Sequence, residues 1–444
     1  MTIETIFALS SGFGRAGIAV LRLSGPAVRT VLLGMIGRVP EPRRATLARF
    51  KDPASGEVLD QGLALFFPGP ASETGEDCAE FHCHGGPAIV AAMLRAFAGF
   101  AATRLAEPGE FVRRAFENGK LDLTEVEGLA DLVEAETQAQ RRQALRQMQG
   151  ELSRKADAWR NDLLAASALI EAEIDFGDEA DVSSLARQQI LEIIGALIAQ
   201  LRDVLAAGSA GERLREGLTI VIAGPPNAGK STLLNALARR DVAIVSAIPG
   251  TTRDAIEVHL DLSGLPLTLI DTAGLRDSED PIETIGIART RAKAAAADLI
   301  LWLSEVGAPE APVGFEEGAK VWPIFTKTDV GQRLPDASGA AIHDGVAISA
   351  ATGENMELLL ARLTEFAKKA TGGGEGALIT RERHRCAMIA ALAALERAHD
   401  AHLGAPELLA EDLRGAIRAL ESLIGKIDVE EILGEIFSRF CIGK

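Results

Sequence analysis

The sequence predicts a multidomain chain of α/β plus α class, with a parallel-sheet α/β domain inserted in a helical domain and a small α+β domain ahead of both. Three observations carry this. A chain of 444 residues exceeds what one hydrophobic core ordinarily serves. Apolar periodicity changes near Leu121 from short strand-like runs to long helical repeats. Strand and helix signals then alternate from Leu218 to about residue 371, after which helical periodicity returns.

Residues 1–118 carry runs such as Gly17-Ile18-Ala19-Val20-Leu21-Arg22-Leu23 and Gly62-Leu63-Ala64-Leu65-Phe66-Phe67 between Gly/Pro turns, with one apolar helix expected near 87–100. Residues 119–212 are rich in Ala, Leu, Glu, Gln and Arg at helical spacing, broken at Phe176 to Asp181, and read as the first part of the helical domain. The α/β domain is expected over 213–371. The Gly372-Gly373-Gly374 run reads as a linker, and 372–444 as the second helical part, interrupted near Gly404-Ala405-Pro406. Helices on both sides of an insertion can pack into one bundle.

Composition sets limits on function. With 63 acidic against 46 basic residues the net charge is −17, so the surface as a whole is not expected to bind polyanions nonspecifically and nucleic-acid contact must use local basic patches. Glu4 interrupts the first apolar run, and no uncharged apolar stretch reaches a membrane span. Four scattered cysteines do not make a disulfide framework. A cytoplasmic chain without a membrane segment is expected.

The chemistry begins at Gly224-Pro225-Pro226-Asn227-Ala228-Gly229-Lys230-Ser231, a G-x-x-x-x-G-K-[ST] loop after the predicted strand Thr219-Ile220-Val221-Ile222-Ala223 and before a helix opening at Thr232. Glycines let backbone N–H groups wrap phosphates, Lys230 adds a point charge and Ser231 can ligate Mg²⁺. Pro249-Gly250-Thr251-Thr252 follows in order, with Thr252 placed to complete the magnesium shell and sense a γ-phosphate. A strand then delivers Asp271-Thr272-Ala273-Gly274, where the carboxylate can hold a Mg²⁺-bound water and Gly274 admits the γ-phosphate. These parts define a P-loop domain of Ras-like type.

Base choice is expected from Thr326-Lys327-Thr328-Asp329. A carboxylate at Asp329 accepts from guanine N1–H and N2–H₂, a donor pair that adenine lacks. Ser349-Ala350 matches the loop that backs the base. Thr326 stands where this pattern usually has Asn. Its hydroxyl replaces only part of an amide's hydrogen bonding to guanine N7, so Thr326→Asn is expected to tighten nucleotide binding by up to roughly tenfold.

Over essentially its whole length the sequence resembles the MnmE (TrmE) family of tRNA modification GTPases. The resemblance rests on Leu21-Arg22-Leu23-Ser24-Gly25, Phe67-Pro68-Gly69-Pro70, Gly75-Glu76-Asp77, His84-Gly85-Gly86-Pro87, Pro108-Gly109-Glu110-Phe111, Lys120-Leu121-Asp122-Leu123, Asp271-Thr272-Ala273-Gly274-Leu275-Arg276, Ile285-Gly286-Ile287 and Cys441-Ile442-Gly443-Lys444, besides the phosphate loop. It implies a homodimer whose N-terminal domain binds 5-formyl- or methylene-tetrahydrofolate. With a flavin- and NADH-using partner, MnmG, such proteins install an aminomethyl or carboxymethylaminomethyl group on C5 of the wobble uridine of certain tRNAs.

Residue by residue, the resemblance implies that Arg22, Glu80, Lys120 and Lys444 bind the folate. Arg and Lys suit its glutamate tail, and a carboxylate suits the pterin donors. It implies that GTP is held by Asn227, Ala228, Gly229, Lys230, Ser231 and Thr232, by Ser246, Ala247, Ile248, Pro249, Gly250, Thr251 and Thr252, by Asp271, Thr272, Ala273 and Gly274, and by Thr326, Lys327, Asp329, Ser349 and Ala350. Mg²⁺ falls to Ser231 and Thr252. K⁺ falls to Asn227, Ser246, Ile248 and Thr251, in the role an arginine finger has elsewhere. Glu283 matches the water-orienting glutamate, acting with Lys230, Thr252 and Gly274.

Other signals weigh less. Cys78, His82, Cys83 and His84 are ligand types in a short span, but strand alternation sends Cys83 to the face opposite His82 and His84. No base can be placed beside Cys441 from sequence. Arg141, Arg142 and Arg146, and Arg381, Arg383, His384 and Arg385, read as solvated helix faces that family function turns into tRNA-backbone candidates. The rival reading is a regulatory or ribosome-assembly GTPase switch without a part in carbon transfer, which needs neither the folate residues nor the Cys-Ile-Gly-Lys segment.

Overall fold

The computed structural model describes residues 4–176, 180–240, 242–244, 257–271, 297–311, 319–330, 345–374, 377–401, 405–427, 433–434, 436–437, 440 and 443. They form two compact units, one of Met1–Ala130, Gln147–Ser183 and Ala405–Lys444, the other of Asp131–Arg146 and Ser184–Gly404.

The first unit is built on a six-stranded sheet of β1 (Thr5–Leu9), β2 (Ala16–Ser24), β3 (Thr46–Lys51), β4 (Val58–Phe67), β5 (Cys78–Gly85) and β6 (Thr103–Leu105), in the order β3-β4-β5-β2-β1-β6. Every pairing is antiparallel except β1 with β6. The two-residue period of the strands separates two faces. Leu21, Leu23, Ala64, Phe66, Ala79, Phe81 and Cys83 join Val28, Val31, Leu32 and Met35 of α1 (Val28–Ile36) and Met93 and Phe97 of α2 (Pro87–Ala98) in one core. Phe81 sits at its centre, 5.3 Å from the Phe50 ring and 5.1 Å from Phe97. The opposite face presents the cross-strand pair Arg22 and Glu80. Edge strand β3 carries exposed Arg49 and Lys51, charges that discourage pairing with a foreign strand.

Helices complete this unit. Helix α3 (Glu110–Glu117) opens with a buried carboxylate, Glu110, held by Arg104 at 2.6 Å and Arg114 at 3.0 Å. In α6 (Glu151–Phe176) the buried residues Leu152, Ala156, Trp159, Leu163, Ala166 and Ile170 recur at alternating steps of four and three. Helix Pro406–Leu423 repeats the pattern with Leu409, Leu413, Ala416, Leu420 and Leu423. The two helices lie together, tied by Arg160 Nε to Glu421 Oε1 at 2.7 Å. Helical segments before and after the inserted domain thus share one unit.

The second unit contains β7 (Leu218–Ala223), β8 (Glu257–Leu262), β9 (Leu265–Asp271), β10 (Leu299–Glu305), β11 (Val321–Thr326) and β12 (Val346–Ala347), ordered β12-β11-β10-β7-β9-β8. All pairs are parallel except β8 with β9. Helices α8 (Lys230–Ala238) and Met356–Ala370 bury Leu233, Leu237, Leu359 and Leu363 against the sheet. Helix α7 (Ala180–Glu216) and helix Glu382–Ala401 are linked by Arg202 to Glu396 at 2.6 Å and Arg385 to Glu212 at 3.1 Å. Gly372–Gly374, read from sequence as a linker, is a 3-10 turn beside buried Thr371.

Candidate functional site

In an open parallel sheet the carboxyl ends of the strands, where strand order reverses, form the natural crevice for a ligand. Here β7 lies between β10 and β9, and the loop Gly224 to Gly229 leaves its carboxyl end to enter α8. Gly224 has φ of +144°, and a Cβ there would lie 2.2 Å from Leu303 O, so only glycine lets the loop pass this close to β10. Asn227 is also left-handed, at φ 64°, and its exposed side chain has no partner among the described residues. Lys230 Nζ donates to the carbonyls of Gly224 and Pro225 at 2.8 Å each.

Ser231 Oγ donates to Asp271 Oδ2 at 2.8 Å, joining the start of α8 to the end of β9. Two hard oxygens at this separation suit a magnesium ion, directly through the hydroxyl and through water at the carboxylate. Asp271 is buried, and Thr232 is exposed on the first turn of α8.

At the end of β11 the buried Thr326 hydroxyl donates to Ala228 O at 2.8 Å, with Ser304 O at 3.2 Å. Its proton therefore braces the phosphate loop. Lys327, at φ 64°, turns the chain and pairs with Glu305. Asp329 follows on the 3-10 turn Thr328–Val330, exposed and without a partner among the described residues. Buried Ser349 accepts from Thr352 N at 3.1 Å, and Thr328 Oγ1 reaches Glu354 at 2.6 Å, which sets Ser349 and Ala350 beside the base-reading turn. Ser246, Ala247, Ile248, Pro249, Gly250, Thr251, Thr252, Thr272, Ala273, Gly274, Glu283, Cys441 and Lys444 lie outside the described residues.

A second constellation occupies the open face of the first sheet. Arg22 donates from Nε and Nη2 to Glu80 Oε1, at 3.2 and 3.0 Å, while its Nη1 lies 2.5 Å from Glu73 Oε2. His82 Nε2 lies 3.1 Å from the other Glu80 oxygen. Arg22, Glu73 and Glu80 border a cavity of about 340 Å³ lined also by Arg43, Phe67, Ser72 and Cys78. Lys120 is exposed and does not line it, but Asn118 of the same turn donates to Thr74 O at 2.7 Å, on the loop that supplies Ser72 and Glu73. Gly443 docks close by. Ser10 Oγ donates to its carbonyl at 2.8 Å, and a Cβ on Gly443 would lie 2.1 Å from Leu9 O, one residue along β1 from Ala8, the partner of Arg22.

Sequence reasoning missed Arg43, Glu73 and His82 here. Only His82 left a signal, the two-residue spacing from Glu80. The soft ligand types disperse: Cys83 lies in the core, where burial and neighbouring Asp60 push its thiol up to about 11. His84 pairs with Asp60 at 2.9 Å. Among the described residues no three His, Cys, Asp or Glu side chains converge on a metal position. The cluster opening helix Glu382–Ala401 is not an open basic face, because Arg381 pairs with Asp131 at 2.6 Å, Arg385 with Glu212, and His384 is buried. Arg141, Arg142 and Arg146 are exposed on α5 (Gln138–Met148). No described helix is long and apolar enough to cross a membrane.

The strand order, the phosphate loop, the serine–aspartate oxygen pair and the base-reading turn define a guanine-nucleotide-binding P-loop domain. A family model described as "MnmE helical domain" matches residues 123–441, and one described as "GTP-binding protein TrmE N-terminus" matches residues 5–120. The chain belongs to the MnmE family. A tRNA modification GTPase MnmE of Beijerinckia indica subsp. indica is 58% identical over 443 residues, covering 100% of this chain and 96% of its own. Proteins of the same name from Methylobacterium sp. and Rhodopseudomonas palustris are 53% and 50% identical, each over 99% of this chain and 100% and 99% of their own.

Proposed function

We propose that this chain hydrolyses GTP to drive tRNA wobble-uridine modification in the cytoplasm, acting as a homodimer with an MnmG-type partner and a bound reduced folate. The observation that carries the GTPase reading is the convergence of Lys230, Ser231, Asp271 and Asp329, the last without a partner among the described residues, at one end of a mostly parallel sheet. The tRNA reading is supported by the names of relatives that match the chain from end to end.

Loop N–H groups and Lys230 bind the phosphates, and Asp329 accepts from guanine N1–H and N2–H₂. Ser231 and Thr252 would hold Mg²⁺, with Asp271 on one of its waters, and the ion would supply positive charge against the phosphates. Thr252 and Gly274 report the γ-phosphate, and Glu283 orients the attacking water. Asn227, Ser246, Ile248 and Thr251 would hold K⁺ through oxygen donors, and the ion would supply charge in the role an arginine finger has elsewhere. The Arg22–Glu80 pair supports the folate reading, since a carboxylate already oriented by a guanidinium is suited to the pterin donors. Lys120 and Lys444 complete that set, Lys444 following the docked Gly443.

The reading is tested in cells lacking the protein. Loss of the C5 modification of wobble uridine, restored by the wild-type gene and not by Asp329→Asn, is the expected result. Normal modification in the deletion strain would refute the tRNA role. GTP hydrolysis by the purified chain, measured separately, tests the nucleotide half.

A further inference from the structure

We infer that Arg43, rather than Arg22, is the anion-binding residue of the cavity on the N-terminal sheet, and that it takes a carboxylate of the folate glutamate tail. This rests on the folate reading above and extends it to a residue that the family pattern does not name.

Arg22 is already engaged by carboxylates: Nε and Nη2 both face one oxygen of Glu80, and Nη1 faces one of Glu73. A further anion would have to displace Glu73 or sit against two negative charges. Arg22 is therefore a positioning residue, and its work is to fix Glu80, whose second oxygen is held by His82.

Arg43 has the opposite environment. It lines the same cavity, it is exposed, and among the described residues no carboxylate lies within ion-pair distance. Neighbouring Arg44 does have one, Glu41 at 2.7 Å. Arg43 is nonetheless held in place. Its backbone is left-handed, at φ 60°, its N–H donates to Phe66 O at 2.8 Å, and its guanidinium donates to Ala71 O. The guanidinium carbon lies 5.8 Å from the centre of the Phe67 ring.

A guanidinium presented beside an aromatic ring matches the end of a ligand where an aryl amide leads to carboxylates. Elsewhere in the same lining, oriented Glu80 matches a group rich in N–H donors. The cavity, about 340 Å³, falls in the range of small-ligand sites. The two groups orient the ligand, pterin toward Glu80 and glutamate toward Arg43.

The test is calorimetric titration of the full-length chain with 5-formyltetrahydrofolate and with a counterpart that keeps the aryl amide and lacks both glutamate carboxylates, the N-methylamide of 5-formyltetrahydropteroate. A charged hydrogen-bonded contact predicts that Arg43→Gln weakens the first ligand about tenfold to a hundredfold and the second by less than about twofold. Arg43→Lys should recover part of the loss. On the wild type, removing the glutamate should cost the same factor as Arg43→Gln, a comparison that needs no variant to fold. Thermal unfolding checks the variants. Equal weakening of both ligands by Arg43→Gln, or no weakening, overturns the assignment while the folate reading stands. Absence of binding by either ligand to the wild type overturns the folate reading and this assignment with it.

Discussion

Thr326 is the residue at which sequence and structure lead to different chemistry, and Thr326→Val separates them. Valine keeps the branched shape and removes the hydroxyl. The hydroxyl is buried, and its proton goes to Ala228 O at 2.8 Å, on the phosphate loop. Losing a neutral hydrogen bond costs about 0.5–1.5 kcal/mol, and leaving a buried acceptor unsatisfied about 1–3 kcal/mol. A figure of about 1–2 kcal/mol corresponds to nucleotide affinity lowered roughly fivefold to thirtyfold. Fluorescence titration with labelled GDP and 7-deaza-GDP reads it. A brace on the loop predicts the same loss with both nucleotides; a contact to guanine N7 predicts a loss with GDP alone. Binding by Thr326→Val within twofold of wild type would refute the brace. An asparagine amide adds little toward Ala228 O that the hydroxyl lacks, so the expected change for Thr326→Asn falls from tenfold tightening to within about threefold.

Further outcomes follow from the same geometry. Asp329→Asn should shift preference toward xanthine nucleotide in competition titrations, because an amide replaces the accepting carboxylate. Gly224→Ala forces a Cβ to 2.2 Å from Leu303 O at φ +144°, and should cost about 3 kcal/mol or more in denaturant unfolding. Burial alone would raise the Glu110 carboxyl, but hydrogen bonds from Arg104, Glu107 N–H and Arg114 bring it down from the usual 4.5 to about 2. That depression, on the order of 3 kcal/mol, is fully present above about pH 4.5 and is lost as pH falls toward 2. Urea unfolding between those values should show the loss in wild type and a much flatter profile in Glu110→Gln. For hydrolysis, Glu283→Ala should lower turnover with GTP affinity near wild type, and K⁺ should support faster turnover than Na⁺ at equal ionic strength; equal rates would remove the potassium role.

What the sequence made legible was whatever depends on local order along the chain. A glycine loop between strand and helix, and an aspartate ending a strand, announce themselves because backbone geometry within a few residues dictates them. The long helices were legible because a four-three apolar spacing persists through Leu152 to Ile170 and Leu409 to Leu423. The short α1 and α3 were not singled out. Nine and eight residues give too few turns for periodicity to stand clear of flanking strands. Partnerships across strands were hidden for a different reason. The Arg22–Glu80 register is set by sheet order, and the environments of Arg43 and Glu73 by a cavity where loops meet the sheet face. Local spacing encodes neither. Thr326 shows the same limit at the nucleotide site, since residue type suggested a base contact and only the approach of Ala228 O, 98 positions earlier, shows where the proton goes.

The division of the first unit bears on how the chain acquires its folate residues. Its N-terminal sheet is continuous in sequence, yet the core joining Val112, Leu123 and Val126 is completed by Ile436, Phe437 and Phe440. Ser10 meets Gly443 across 433 positions. Loop closure over such a separation is costly in entropy, but the cost grows only as the logarithm of length, and an intervening domain that folds alone shortens the effective loop. The pairing of α6 with helix Pro406–Leu423, through Arg160 and Glu421, brings the late segment back beside the early one. Gly443 can then dock against β1. Truncation before Pro406 should therefore leave Lys230, Ser231 and Asp271 assembled while removing the partner of α6 and the docking of Gly443 at Ser10. A truncated chain that keeps nucleotide binding but loses folate binding is the expected result. Retention of wild-type folate affinity would mean that Arg22, Glu80 and Arg43 suffice without the returning segment.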